Sequence, residues 1–378
     1  MKSYSFINRF VFLGILVLLC FSSNVIQPLP VQTNPNSFTI DLSIIGDCLL
    51  ATEDGEDSSF SFSWYAKNKN PEYFFKKVAY IFENDDFTIA NLENVLTDRP
   101  LKKRDKGEGA FWFKAPSRNT NILKKGYIDV ISITNNHTYD YGKEGYLDTI
   151  KALDNANLMW ASEDKTLYLT KNGYTLAFIP ASLYSGAQAK RIIDRLKIAS
   201  TKSDYQIVYF HGGKEAIYEP EPWKIKATHQ LVDAGADLVI GNHPHRLQPI
   251  EVYKGVNILY SLGNFCFGGN NHMVSNRTII YKTILTIEDG KLTQEETRII
   301  PAYIQDDSKY QNNWQPDIIY NESEKQLVID FLFGKSGLPH TRINKSNIIN
   351  INNYKSTNDD IEIDEESGYI IKKYPTLL

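Results

Sequence analysis

Cysteine is scarce in this chain of 378 residues: Cys20, Cys48 and Cys266 are too few and too scattered for a disulfide framework or a CxxC zinc site, and they leave the redox compartment unread. An excess of charge of one sign is lacking as well. The formal net charge of -4 gives no general affinity for nucleic acid or anionic membranes, so an anionic substrate has to be held by local basic groups or by a metal. No repeat of fixed period marks a solenoid or a propeller. Long apolar runs are missing apart from one near the start, and that one, residues 10–21, falls short of the roughly 20 residues that comfortably span a bilayer. What is present is a content of 42% hydrophobic residues, that of a protein that buries a core, on a chain long enough for one large domain or two ordinary ones.

The uncharged run 10–21 follows Lys2 and Arg9, the pattern of a secretory signal, and Cys20, Ser22 and Ser23 offer small residues at cleavage positions. Extended through residue 26, it is also long enough for an uncleaved anchor. Residues 1–26 are therefore expected to be a signal peptide or N-terminal membrane anchor, and the protein to be exported, either anchored on the outer side of the cell membrane or secreted or periplasmic. Residues 27–37, with Pro28, Pro30 and Pro35, read as an extended linker.

From residue 38 to 44 apolar and polar residues alternate, which predicts a strand ending at Gly46-Asp47. Phe74, Val78, Ile81 and Phe82 at helical spacing predict a helix over 71–84, and the next apolar run, 87–92, ends in Glu93. The loop 97–109, with Lys102, Lys103, Arg104 and Lys106, reads as a solvated charged loop. A short helix over 116–126 leads to a strand over 127–134 that stops at Asn135-Asn136-His137, with Asp140 just beyond. Helices follow at 145–156, 189–199 and 223–234, and strands at 167–168, 174–180, 205–210, 236–240 and 256–262. Two antiparallel strands, 278–287 and 292–301, surround a turn at Asp289-Gly290. The core domain is expected to span 38–304, with 305–378 a partly disordered C-terminal extension that carries one helix near 322–333.

Five of these strands end in potential metal ligands: Asp47, Glu93, Asn136 with His137, His211, and His243 with His245. In an open α/β architecture ligands bind at the carboxyl ends of strands, so these groups can converge in one cleft. Four of the seven histidines fall in this set, and His229, His272 and His340 have no such setting. Carboxylate, amide and imidazole without thiolate suit Mn, Fe, Zn or Mg rather than a structural zinc.

Gly46-Asp47, Asn91-Leu92-Glu93, Asn135-Asn136-His137 with Asp140 and Gly142, His211-Gly212-Gly213 with Glu215, and Gly241-Asn242-His243-Pro244-His245 together resemble the CapA family of poly-γ-glutamate capsule biosynthesis proteins, itself similar to the calcineurin-like metallophosphoesterases. The stretch 260–265 is similar to one typical of CapA proteins. The resemblance covers roughly residues 38–304. It implies an α/β fold of four layers, an α-β-β-α sandwich, and a site for one or two divalent ions. It further implies that Asp47 and His245 hold one ion, that Asn136, His211 and His243 hold a second, and that Glu93 bridges them. His137 would be the general acid, oriented by Asp140, and Lys214 and Glu215 would line the substrate side. Two departures stand out: Leu49 occupies the position where metallophosphoesterases usually place a histidine, and the bridge is a Glu in place of an Asp. The implied activity is a metal-dependent hydrolase of the phosphoesterase type. The alternative is a non-catalytic, membrane-tethered protein that binds or exports an anionic capsule polymer. The expected partners are an anionic polymer or a phosphoester substrate and membrane-bound capsule synthesis proteins, with no nucleic acid.

Overall fold

The strand that delivers Asp47, β1 (Ser37–Leu49), is buried on both faces from Leu42 onward, so it runs through the interior of a sheet and well past the segment its alternation marks. This is seen in a computed structural model that describes residues 36–55, 58–269, 275–305, 312–336, 338, 361–364 and 368–373. After β1 comes a helix absent from the sequence expectation, α1 (Phe62–Asn68), started by Ser61, whose side chain accepts from the Trp64 N–H. The single helix expected over 71–84 is broken into a 3-10 turn at Pro71–Tyr73 and α2 (Ala79–Phe82). Val78 sits at φ -126, outside the helical region, and both its N–H and that of Ala79 turn to the Phe75 carbonyl. The apolar spacing there serves packing, since Phe74, Val78 and Phe82 are buried.

The chain continues through β2 (Phe87–Leu92), the short parallel pair β3 (Val95–Leu96) and β4 (Lys114–Ala115), α3 (Thr120–Lys125), β5 (Val130–Ser132), α4 (Gly142–Asn155) and β6 (Met159–Ala161). Next are β7 (Leu167–Lys171), β8 (Tyr174–Ser182), α5 (Ala189–Ala199), β9 (Tyr205–His211), α6 (Pro222–Asp233), β10 (Leu238–Asn242), β11 (Ile250–Tyr253) and β12 (Val256–Leu259). The strand expected over 256–262 is two: β12 stops at Leu259, and β13 (Asn264–Phe267) pairs in the other sheet, parallel to the end of β1. A long hairpin follows, β14 (Arg277–Glu288) and β15 (Lys291–Tyr303), with Asp289 and Gly290 both at positive φ in its turn, as a two-residue hairpin loop requires. Beyond it lie β16 (Asp317–Ile318), α7 (Glu322–Leu332), β17 (Ile361–Asp364) and β18 (Tyr369–Lys373).

Two sheets organise these elements. One runs β17-β18-β15-β14-β1-β2-β5-β6, with β13 added on β1 and β16 on β15; the other runs β11-β12-β10-β9-β8-β7. Both mix parallel and antiparallel pairs, the parallel ones holding the strands that carry the candidate ligands. One apolar cluster joins Ile40, Leu42, Ile44 and Ile89 of the first sheet to Phe178, Ile207, Tyr209 and Ile240 of the second. A separate cluster packs Phe74, Phe75, Leu123 and Leu153 on the first sheet, and another packs Ile192, Leu196 and Leu231 on the second. The fold is therefore α/β with helices on both sheets.

The packed chain does not stop near residue 304. Trp314 is fully buried in the cluster on the first sheet, Val328, Ile329, Phe331 and Leu332 of α7 join the cluster shared by the sheets, and β18 pairs with β15. The regions expected as signal or anchor (1–26) and most of the linker (27–37), together with His272, His340 and much of the C-terminal extension, lie outside the described residues. Among the described residues no helix is long and apolar enough to cross a membrane.

Candidate metal centre

Asp47, Glu93, His211, His243 and His245 come together where β1, β2, β9 and β10 end. Close backbone approach makes this possible. Asp47 N–H donates to the Gly263 carbonyl at 3.0 Å, and a Cβ on the neighbouring Gly46 would lie 2.1 Å from that same carbonyl oxygen, so only glycine fits. At the end of β9, a Cβ on Gly212 would lie 1.8 Å from the Leu183 carbonyl oxygen. The loop after β10 is strained: His243 at φ +99 and His245 at φ +54 are both in the left-handed half of backbone space.

Asp47, Glu93 and His211 each offer a ligand atom within 4.8 Å of the others, and so do Glu93, His243 and His245. His211 Nε2 is the focus of a tight group: 2.9 Å from Asn136 Oδ1, 3.1 Å from His243 Nδ1 and 3.3 Å from Glu93 Oε1. His245 lies 3.5 Å from Asp47 through Nδ1 and 3.8 Å from Glu93 through Nε2. All six residues expected as ligands are thus in one place. Asp47 has Asn91 Nδ2 donating to Oδ1 at 2.8 Å and the His243 N–H donating to Oδ2 at 3.3 Å.

The electrostatics are those of a site built around a cation. Glu93 is fully buried, yet neither of its carboxylate oxygens has a hydrogen-bond partner among the described residues. Burial alone would push its carboxyl up, but the imidazoles of His245 and His211 outweigh that and hold it at about 2. His211, pushed down by burial, is carried up to about 9 by Glu93 and Asp47. Burial and the neighbouring His211 drive His243 down to about 2. A fully buried carboxylate with no well-formed hydrogen bond, faced at 3.3 and 3.8 Å by the imidazoles of His211 and His245 and with the Asn136 amide oxygen beside them, fits a divalent ion.

His137 stands beside this group and is nearly buried. Its Nδ1 lies 2.9 Å from Asp140 Oδ2, and its ring meets that of Phe113 edge-on at 4.8 Å. Asp140 is itself clamped, accepting from the Phe113 N–H at 2.8 Å and pairing with Lys106 Nζ at 2.5 Å. This corrects the reading of loop 97–109 as merely solvated: Lys106 reaches inward, the Arg104 N–H donates to the Asp140 carbonyl, and Arg99 pairs with Asp148. Of the expected substrate-side residues, Glu215 stands at the rim with Oε1 3.8 Å from His243 Nε2. Lys214 is exposed, with no hydrogen bond or ion pair to the group among the described residues.

Four residues of the site were given no role there by the sequence reading. Asn91 and Asn264 carried a legible signal, being strand-end amides like Asn136: Asn91 also accepts from Asn135 Nδ2, and Asn264 Oδ1 lies 2.8 Å from His245 Nδ1. Lys106 and Tyr184 carried none, since each reaches the site from a loop. The Tyr184 ring stands edge-on to His243 at 5.2 Å. Leu49 is fully buried in the apolar cluster on the first sheet and turns no polar atom to the centre.

Residues 41–269 match the family described as bacterial capsule synthesis protein PGA_cap. The chain is 29% identical over 221 residues to the capsule biosynthesis protein CapA of Bacillus anthracis, covering 52% of this chain and 54% of that protein. To the PGA biosynthesis protein CapA of Bacillus subtilis (strain 168) it is 30% identical over 224 residues, covering 53% and 58%. The chain thus spans little more than half the length of these relatives. A hypothetical protein from Thermus thermophilus aligns at TM-score 0.42 and 16% identity, over 69% of this chain and 99% of that one.

Proposed function

The chain belongs to the bacterial capsule synthesis protein family PGA_cap, within the metallophosphoesterase-like superfamily, and from that premise we propose that it is an exported, metal-dependent hydrolase of capsule or poly-γ-glutamate-type biosynthesis that cleaves a phosphoester. The observation that carries this reading is Glu93, fully buried with no hydrogen bond to either carboxylate oxygen and with the imidazoles of His211 and His245 at 3.3 and 3.8 Å. Asp47 and His245 would hold one ion, Asn136, His211 and His243 another, with Glu93 between them. When bound there, divalent ions supply Lewis acidity toward a phosphoryl oxygen and a nucleophile at neutral pH.

The protein's own part is positioning and proton transfer. Asp140 Oδ2 fixes His137 through Nδ1, which leaves Nε2 as the ring nitrogen that can give a proton to a leaving oxygen. Lys106 and the Phe113 N–H keep Asp140 from turning away. Asn135 holds the loop by accepting the His137 N–H and donating to Asn91. The order of apolar clusters, helices on sheet on sheet on helices, supports the calcineurin-like four-layer sandwich as the frame of this site. Export is supported by the uncharged run 10–21 behind Lys2 and Arg9 and by relatives named for capsule synthesis.

Protein purified without chelator is expected to contain Mn, Fe, Zn or Mg by elemental analysis and to hydrolyse bis(p-nitrophenyl) phosphate. His137→Ala should lower that rate by roughly a hundredfold or more without releasing the metal. A chain that binds none of these ions overturns the proposal. Leu49 favours a second reading, because one side of the centre is short of a ligand: a non-catalytic protein that holds or exports an anionic capsule polymer, working with membrane-bound capsule synthesis proteins. Under that reading, polymer pull-down persists in His137→Ala.

A further inference from the structure

Next to the metal-ligand group a cavity of about 330 Å³ opens, lined by residues that follow β5 and β6 in one sheet and that end β8 in the other. It is at the lower end of small-molecule sites in size. Tyr184 forms its wall toward the centre, with its ring 5.2 Å from that of His243 and 6.4 Å from that of His211. Asn135, the neighbour of Asn136, lines it too. A ligand seated here therefore reaches the edge of the metal-ligand group.

The lining specifies the chemistry of that ligand. Tyr139 and Tyr184 are 41% and 37% exposed, so two aromatic rings stand at the cavity with much of their surface uncovered, and Tyr146 lies 5.0 Å from Tyr139 behind them. The negative faces of such rings attract C–H groups that carry partial positive charge. Thr134 lines the cavity with its Oγ1 closed off from solvent, so the polar side chain that a ligand can reach there is the exposed Asp164. The Asp164 carboxylate only accepts, so the matching ligand carries hydrogen-bond donors such as hydroxyls. The charge excludes an anion: the cavity has two carboxylates, Glu163 and Asp164, against one guanidinium, Arg191, which is already paired with Glu163.

We infer that this cavity binds a glycosyl unit, with the C–H face of the sugar on Tyr139 and Tyr184 and its hydroxyls donating to Asp164. An anionic polymer strand is refused here by Glu163 and Asp164. The inference rests on the proposed hydrolase only in making the sugar the part of the substrate that does not react; the binding stands without it.

The test is saturation-transfer NMR on the full chain as purified, repeated after chelation. The probes are methyl glycosides of glucose, galactose and N-acetylglucosamine, with tri-γ-glutamate and lysine methyl ester as the anionic and cationic comparisons. At least one glycoside is expected to receive saturation on one ring face and to bind in the millimolar range. Tyr139→Ala and Tyr184→Ala, both at exposed positions, should each weaken it by roughly fivefold or more. Asp164→Asn, also exposed, should weaken it to a lesser degree, with circular dichroism confirming that each variant is folded. Binding of no glycoside, preference for either charged probe at these residues, or glycoside binding indifferent to both tyrosines overturns the inference. Phosphodiesterase activity is not read in this assay, so a chain that binds sugar but hydrolyses nothing sinks the hydrolase and leaves the pocket, and the reverse result does the opposite.

Discussion

Glu93 decides what the centre can do, because a carboxylate at zero exposure, with no hydrogen bond to either oxygen and only the imidazoles of His211 and His245 beside it, is tolerated only where positive charge faces it. Glu93→Gln keeps the shape and removes the charge. Wild-type protein with metal at about a hundred times its dissociation constant should gain about 2.7 kcal/mol of stability. The variant should gain almost none, measured as the change in melting temperature on adding Mn or Zn; an equal gain in both would mean that Glu93 is no ligand. Lys106 acts one step further out, holding Asp140 and through it His137. Lys106→Ala should lower kcat by about 10- to 100-fold while the bound metal stays constant by elemental analysis. Loss of metal together with activity would assign Lys106 to the integrity of the loop and not to the posture of His137.

At the opposite ends of the strands one device recurs. Asp86, Asp129, Asp204 and Asp237 each stand just before β2, β5, β9 and β10, and each N–H donates to a carbonyl of the neighbouring strand. Their carboxylates accept the backbone N–H of Asp41, Thr88, Thr175 and Gln206, the same residues, at 2.7 to 2.9 Å. The two-bond clamp fixes the register in which parallel strands start, and hence how far their other ends project into the centre. Burial pushes the Asp237 carboxyl up to about 6 from an ordinary value of 3.8, despite the Gln206 N–H that favours its charged form. An acid raised on folding binds more protons folded than unfolded between those two values, so its contribution to stability is full below about 4 and lost as pH rises through about 6. Asp237→Asn keeps an acceptor for Gln206 and removes the titration. Relative to wild type the variant should therefore gain about 1–3 kcal/mol between pH 4 and pH 7 in urea unfolding. Parallel pH profiles would show that Asp237 does not carry the effect.

On the scale of the molecule, the legible part of the sequence was the part in which one strand meets one helix at a time. The apolar run into Asp47, the run into Glu93 and the stretch Asn135-Asn136-His137 each announce a local event, and their convergence follows from parallel strands sharing one end. What stayed hidden were pairings with no local signature. The chain changes sheet between Leu259 and Asn264, at the end of a stretch, 256–262, that reads as one strand, and Trp314 packs on a sheet formed far earlier in the sequence. The region past residue 340 shows the same thing most sharply, since its low apolar content reads as a tail, yet Lys372 on β18 is 2% exposed and lies 3.2 Å from Glu295 on β15. Beside it Ile370 is fully buried in the cluster shared by the sheets, so one apolar side chain, a backbone ladder and a buried ion pair dock this strand, and hydrophobic periodicity over a polar stretch reports none of them. Removing one member should be far worse than removing both. Lys372→Met is expected to cost about 3–5 kcal/mol, because the Glu295 carboxylate stays buried after its cation has gone, while Lys372→Met with Glu295→Leu should recover most of the loss. Equilibrium unfolding of the single and double variants measures the coupling. If the double variant is no more stable than Lys372→Met, the C-terminal strand is held by its backbone ladder on β15, and the ion pair is incidental.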